Sequence, residues 1–245
     1  MIFCYIFLIS FIATLVRSTF GFGESLVAVP LFCLFVPINV AVPLSVLISI
    51  LVALVVVIQD HQQIHFNSAK WLILFALLGI PLGLLILIYG NEQWVKVALG
   101  IIIILYSLYA LAGKNKITLE SDNRWWLFIC GFLSGILGGA YGLNGPPLVV
   151  YGNMRKWNAK DFRATLQAYF LPASCIGAIG FAIKGLITLT VLKYFLIALP
   201  ASIPAIYMGR NLNHKLKDGA FFNYIYWVLI GIGTFLIVNS VYRLY

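Results

Sequence analysis

Val40-Ala41-Val42-Pro43-Leu44-Ser45-Val46-Leu47-Ile48-Ser49, continuing through Leu51-Val52-Ala53-Leu54-Val55-Val56-Val57 to Ile58, contains no charged residue. A run of that length, wound as an α-helix, matches the roughly 30 Å hydrocarbon core of a bilayer. Other apolar runs lie on either side of it: Ile2–Val16, Ser25–Val36, Ala69–Tyr89, Trp94–Ala112, Trp125–Leu137, Pro146–Gly152, Phe162–Ile183, Leu189–Met208 and Phe222–Tyr242. Over the 245 residues, 62% are hydrophobic and 9% charged, with a mean hydropathy of +1.02. Soluble domains carry about 25% charged residues, and so few charges cannot cover a soluble surface of this size. The expectation is an all-α polytopic membrane protein, a single transporter domain over residues 1–245.

Ser25–Val36 and Pro146–Gly152 are too short to span comfortably. Each follows a Gly-rich interruption, Gly21-Phe22-Gly23-Glu24 in one case and Gly138-Gly139-Ala140-Tyr141-Gly142-Leu143-Asn144-Gly145 in the other. After each break come a short helix, a longer one, two more, and a basic residue, Lys114 or Arg243. This pattern predicts two repeats, 1–113 and 124–245, of about five helical segments each, with a broken or short helix in each half. Residue identity between the repeats is poor.

The net charge of +9 does not point to nucleic acid, because the basic residues lie in short loops between apolar runs. Lys70, Lys114, Lys116, Arg124, Arg155, Lys156, Lys160, Arg163, Arg210, Lys215 and Lys217 fall on one face if the segments cross in pairs. Lys96, Lys184, Lys193 and Arg243 fall on the other, and Arg17 is left over near the first break. The richer face is expected to be cytoplasmic, with both termini outside. An odd number of segments per half makes the repeats inverted. The N-terminal run lacks a basic leader and reads as a retained helix.

An unpaired backbone group costs several kcal/mol in lipid, so a Gly-rich break is tolerable only inside the protein or beside a watery cavity. Paired breaks in inverted halves point to a transport site, and half-helix N-termini favour anions. Gly21, Gly23, Gly142 and Gly145 permit unusual backbone conformations, Asn144 is a good N-cap type, and Pro146 and Pro147 suit a first helical turn. The plainer reading is that the glycines serve helix packing. Beyond these residues, the expected substrate-binding set takes in Phe20, Glu24, Ser25, Gly139, Tyr141 and Thr165. Thr165, Gln167 and Tyr141 could hydrogen-bond a solute, or merely neighbouring helices.

Glu24 is the one acidic residue inside an apolar stretch. It is a candidate for proton coupling, or a helix-terminal acid paired with Arg17. Arg17 is either a snorkelling residue at a helix end or a substrate counter-ion. His61 and His65 read as solvated, since no further metal ligands accompany them. Cys4, Cys33, Cys130 and Cys175 read as buried free thiols. Neither a metal nor a cofactor is implied. Trp125, Trp126 and Trp157 follow the interfacial habit.

The stretch from Ser18 to Leu31 resembles the first motif of the sulfite exporter TauE/SafE family of bacterial permeases. Gly131-Phe132-Leu133-Ser134-Gly135 through Gly145-Pro146-Pro147-Leu148-Val149 resembles its second, and Arg163-Ala164-Thr165-Leu166 fits as well. Glu24 stands where the family often has a further glycine. The resemblance implies a bacterial inner-membrane permease for small anions: sulfite, organosulfonates or small carboxylates. Its partners would be the solute and the bilayer, with a homo-oligomer left open. A non-transporting membrane scaffold or assembly factor, or an intramembrane enzyme, is the alternative, although no nucleophile with a base stands at membrane depth.

Overall fold

The computed structural model describes residues 2–112, 118–215 and 220–242; the side chains of 159, 213–215, 220–225 and 228 are not described. Lys114, Lys116, Lys217 and Arg243 of the basic-loop count, and the outermost residues of both repeats, therefore lie outside the described residues, as do the side chains of His214 and Lys215.

The described residues form ten α-helices: α1 (Ile2–Phe20), α2 (Glu24–Phe32), α3 (Ile38–Asp60), α4 (Phe66–Tyr89), α5 (Glu92–Ala112), α6 (Arg124–Tyr141), α7 (Gly145–Met154), α8 (Ala159–Ile183), α9 (Leu189–Lys215) and α10 (Ala220–Tyr242). A short 3-10 turn, His61–Gln63, follows α3. Among the described residues α1, α3, α4, α5, α8 and α9 are long and apolar enough to cross a membrane. Polar caps mark two of the starts. The Asn123 side chain accepts from the Trp125 and Trp126 amides to open α6, and Asn158 accepts from Lys160 and Asp161 to open α8.

α2 and α7 have nine and ten residues, half of what a span needs. Both fold back along the helix before them. Tyr5, near the start of α1, stacks on Phe35, just past α2, at 4.5 Å. At the end of α7, the Met154 carbonyl accepts from the Leu119 amide, ahead of α6, at 2.8 Å. Trp157 then stacks on His65 at 5.3 Å, beside the Asp60 end of α3. The α1–α2 hairpin thus opens at the Ile38 end of α3, and the α6–α7 hairpin at its Asp60 end. The loops after α3, before α6 and after α7 share that second end. Both short segments are re-entrant in shape.

The tightest seams run α4 against α6, α1 against α9 and α5 against α10, with α3 and α8 crossing between them. Small residues make them possible. A Cβ at Gly79, Gly83, Gly135 or Gly139 would overlap backbone of the partner helix across the α4–α6 seam. Gly209 of α9 abuts Ser18 and Leu15 of α1, and Gly100 of α5 faces Gly233 of α10. Gly139 is therefore a packing glycine. The second break is also shorter than the sequence suggests: residues 138–141 complete α6, and only Gly142-Leu143-Asn144 interrupt the helix. A Gly-rich stretch stays helical when its bare face is what lets a neighbour approach.

Candidate functional site between two helix breaks

Each break turns on a left-handed glycine. Gly23 has φ 96° and Gly142 φ 68°, and Gly21 adds a third at φ 84°. L-residues avoid this region, so the chain reverses there at the least steric cost. The two breaks meet. A Cβ at Gly145 would lie 3.6 Å from Phe22 Cβ, and one at Gly142 would lie 3.3 Å from Val46 and 3.8 Å from Ser25 Oγ. Gly145 itself is an ordinary first residue of α7 and has no positive φ.

Arg17 and Glu24 occupy the junction. Both are almost wholly buried, 3% and 1% exposed, and Arg17 Nη1 donates to Glu24 Oε2 at 2.6 Å. The same Nη1 donates to Ser49 Oγ at 2.6 Å, while Nε and Nη2 reach Gln167 Oε1 at 3.1 and 2.8 Å. Gln167 Nε2 donates to the Gly21 carbonyl at 2.6 Å, which ties α8 to the first break. The guanidinium carbon stands 4.8 Å from the Phe170 ring centre, within cation–π range. On the acid's side, the Ser45 hydroxyl donates to Glu24 Oε1 at 3.0 Å and lies 3.1 Å from Ser25 Oγ. Ser49 continues to Ser174 at 3.1 Å. Arg17 is therefore the buried ion-pair partner of Glu24. The snorkelling reading fails because the guanidinium points into the bundle, where a carboxylate, a serine and an amide satisfy it.

A small cavity lies against this cluster. Gly23, Ser25, Gly142, Asn144, Gly145 and Pro146 line it from the two breaks, together with Phe22, Ser49, Phe170 and the Arg17–Glu24 pair. It leaves about 20 Å³ for the centre of a water-sized sphere. That holds roughly one water.

Phe20, Gly21, Tyr141 and Thr165 do not line the cavity, and neither does Gly139. Thr165 is buried on another side of α8 and accepts from the His65 amide at 3.0 Å. Tyr141 is buried in the packed core as the last residue of α6. Asn144 lines the cavity but does not cap α7. Its backbone is helical, at φ −72° and ψ −21°, and no side-chain cap bond forms. Its Oδ1 packs on Gly138, where a Cβ would overlap it. Gln167, one of the residues the sequence offers to a solute or a neighbouring helix, joins this cluster. Ser45, Ser49, Phe170 and Ser174, which complete the set with it, escaped the sequence reading. All five lie in apolar spans, on α3 and α8, far along the chain from the breaks.

His61 stays exposed and His65 pairs with Asp161 at 3.3 Å. Among the described residues no cluster of three metal-ligating side chains exists. The four cysteines are free, but only Cys33 and Cys130 are buried; Cys175 is half-buried and Cys4, on α1, is exposed, contrary to the sequence reading.

The sequence pattern of the sulfite exporter TauE/SafE family matches residues 6–236. The chain belongs to that family. Members are membrane transporters, not enzymes, and the chain is accordingly a multi-pass membrane permease. It is similar to the probable sulfite/organosulfonate exporter TauE of Cupriavidus necator, with 24% identity over 183 residues, 74% of this chain and 71% of that protein. No solved structure matches the chain.

Proposed function

We propose that this TauE/SafE permease moves small sulfur oxyanions, sulfite or organosulfonates, through the junction of the two helix breaks. The observation that carries the reading is the buried Arg17–Glu24 pair at a cavity between two half-helix N-termini. A fixed guanidinium matches the planar, multi-donor recognition that oxyanions need, and helix N-termini add positive potential. The similarity to a probable sulfite/organosulfonate exporter supports the substrate class and an outward direction. Glu24 already occupies Arg17, so an incoming anion replaces its carboxylate there. Two anions at one guanidinium repel, and a proton on Glu24 removes that repulsion. Anion and proton then travel as a coupled pair.

The helix packing supports a duplicated, inverted architecture. Exchanging α1–α5 for α6–α10 turns the α4–α6 seam into α9–α1 and leaves α5–α10 and α3–α8 unchanged. The hairpins opening at opposite ends of α3 fit inversion. The basic-loop end would face the cytoplasm, putting the C-terminus outside; a fluorescent fusion after Tyr245 that folds only in the cytoplasm should stay dark. The transport reading is tested by uptake into proteoliposomes of sulfite, thiosulfate, methanesulfonate and a small carboxylate. Accumulation of the sulfur anions that disappears in Arg17→Gln is expected. Equal uptake by wild type and Arg17→Gln would overturn the site, and preference for the carboxylate would overturn the substrate class.

A further inference from the structure

A second cluster of charge stands one helical turn along α8 from Gln167. Arg163 is 4% exposed, yet its Nε and Nη2 find no hydrogen-bond partner in the protein. Its nearest opposite charge is Asp60, with Nε 3.6 Å from Oδ2. Arg210 of α9 approaches the same carboxylate, Nη2 at 3.7 Å from Oδ1. Both separations exceed hydrogen-bonding distance. Two guanidinium groups therefore share one carboxylate that bonds neither of them well. Asp60 is also the last residue of α3, where the negative end of the helix dipole disfavours an acid. A buried arginine with unpaired N–H groups is costly, and the fold keeps it at one place, against the first break. The Arg163 backbone lies 3.0 Å from where a Cβ of Gly21 would stand, and Gln167, one turn on, holds both Gly21 and Arg17.

We propose that Arg163 and Arg210 form a peripheral oxyanion-binding subsite on the basic-loop end of the bundle, with Asp60 as the resident carboxylate that the anion displaces. A sulfonate or sulfite group presents three oxygens and can accept from both guanidinium groups. An anion held here is one turn of α8 from Gln167, the residue that orients Arg17, so the subsite serves solute arriving from or leaving to the basic-loop face. Asp60 joins the ends of α3, α8 and α9 while the subsite is empty, and its displacement unlinks them. Arg163 and Arg210 thus take the anion ahead of the central cavity, and Arg17 takes it next.

This inference rests on the anion-transport reading, and the test separates the two. Transport is measured in proteoliposomes of defined orientation with radiolabelled sulfite as the probe, presented to either face in turn. Asp60→Asn removes the competing carboxylate and should lower the half-saturating concentration from the basic-loop face by about tenfold, the equivalent of one charged hydrogen bond gained. Arg210→Gln should raise it by a similar factor, and Arg210→Lys should recover most of the loss. From the opposite face all three should match wild type. Arg210 is 39% exposed, so its variants keep the experiment decisive even if Asp60→Asn fails to fold. Unchanged half-saturation in Arg210→Gln, or the same shift from both faces, overturns the subsite; if Arg17→Gln is inactive in that experiment, the central site still stands. Should wild type carry no sulfite, calorimetric binding of sulfite to wild type and Arg210→Gln reads the subsite alone, and equal binding by the two refutes it.

Discussion

The two helix breaks share a geometry and differ in chemistry. Each turns on a positive-φ glycine, each starts a helix of nine or ten residues, and each faces the same cavity. The first break carries charge on both sides, Arg17 before it and Glu24 after it. The second carries none: its cavity-lining residues are Gly142, Leu143, Asn144, Gly145 and Pro146. The helix ends differ too. α2 begins Glu24-Ser25-Leu26, with three free amides in its first turn, whereas α7 begins Gly145-Pro146-Pro147 and has one. The first break therefore supplies the field and the titratable group. The second supplies shape: a small-residue wall that lets Phe22 and the charged pair approach.

If charge is confined to the first break, its removal should have the largest effect in the molecule. Arg17→Met leaves Glu24 buried without a partner, which costs about 3–5 kcal/mol. Transport should be lost and the melting temperature of the purified protein should fall sharply. The double variant Arg17→Met with Glu24→Met should regain much of the stability, since replacing both partners of a buried pair is often neutral, yet remain inactive. Transport by the double variant would show that the pair is structural and would dissolve the contrast between the breaks.

At the second break the expected defects are steric and smaller. Gly142→Ala places a Cβ at φ 68° and 3.3 Å from Val46, so it should cost about 1–2 kcal/mol and most of the transport rate. Gly145→Ala has ordinary backbone angles and a Cβ 3.6 Å from Phe22, ordinary contact, so uptake should stay near wild type. Matching defects in the two variants would mean that cavity volume, and not backbone conformation, governs this wall. Between the breaks, Glu24→Gln keeps the size of the side chain and loses its charge. It should still exchange sulfite across proteoliposomes and fail to concentrate it against a gradient when a pH difference is imposed. Gradient-driven accumulation by Glu24→Gln would leave Glu24 a helix-end acid and move coupling elsewhere.

The breaks were legible because glycine and proline punctuate a helix locally, and Glu24 because a carboxylate in an apolar run has few innocent explanations. The pairing of Arg17 with Glu24 was legible as well, as the two lie seven residues apart across one turn. The rest of the cluster was not. Ser45 and Ser49 are unremarkable serines in an apolar span, and Phe170 comes from a helix some 150 residues beyond Arg17; tertiary packing alone selects them, and it also decides that Gln167, legible only as a hydrogen-bonding residue, meets Arg17. Thr165 and Tyr141 lie beside the motifs in sequence but off the cavity in space. A hydrophilic residue near a motif was read toward the site, but two residues along a helix turn the side chain about 200°, so Thr165 faces His65 while Gln167 and Arg163 face the break. Gly139 belongs to a stretch whose composition does not distinguish a break from a packing seam.

The far ends of the two short helices extend the comparison. α2 ends beside Glu92 and Lys96, with an open cavity of about 250 Å³ against its following loop. α7 is clamped. Tyr151 Oη donates to Asp122 at 2.8 Å, Ser68 Oγ and Asn67 Nδ2 donate to the same carboxylate, and Arg155 Nε lies 3.3 Å from it. Burial pushes the Asp122 carboxyl up, but the hydrogen bonds from Tyr151, Ser68 and Asn67 and the Arg155 charge outweigh it and hold it below the ordinary carboxylate range. A depressed folded-state value means that Asp122 contributes stability above its unfolded value, about 3.9, and that this stability is lost as pH falls through the lower folded value. Asp122→Asn should therefore melt below wild type at neutral pH, by about 2–4 °C for each kcal/mol removed. The gap should hold down to about pH 5 and close as the pH drops below about 4. A gap for Asp122→Asn that persists unchanged at acidic pH would mean that the clamp works by shape alone, and the two helix ends would then differ in packing and not in charge.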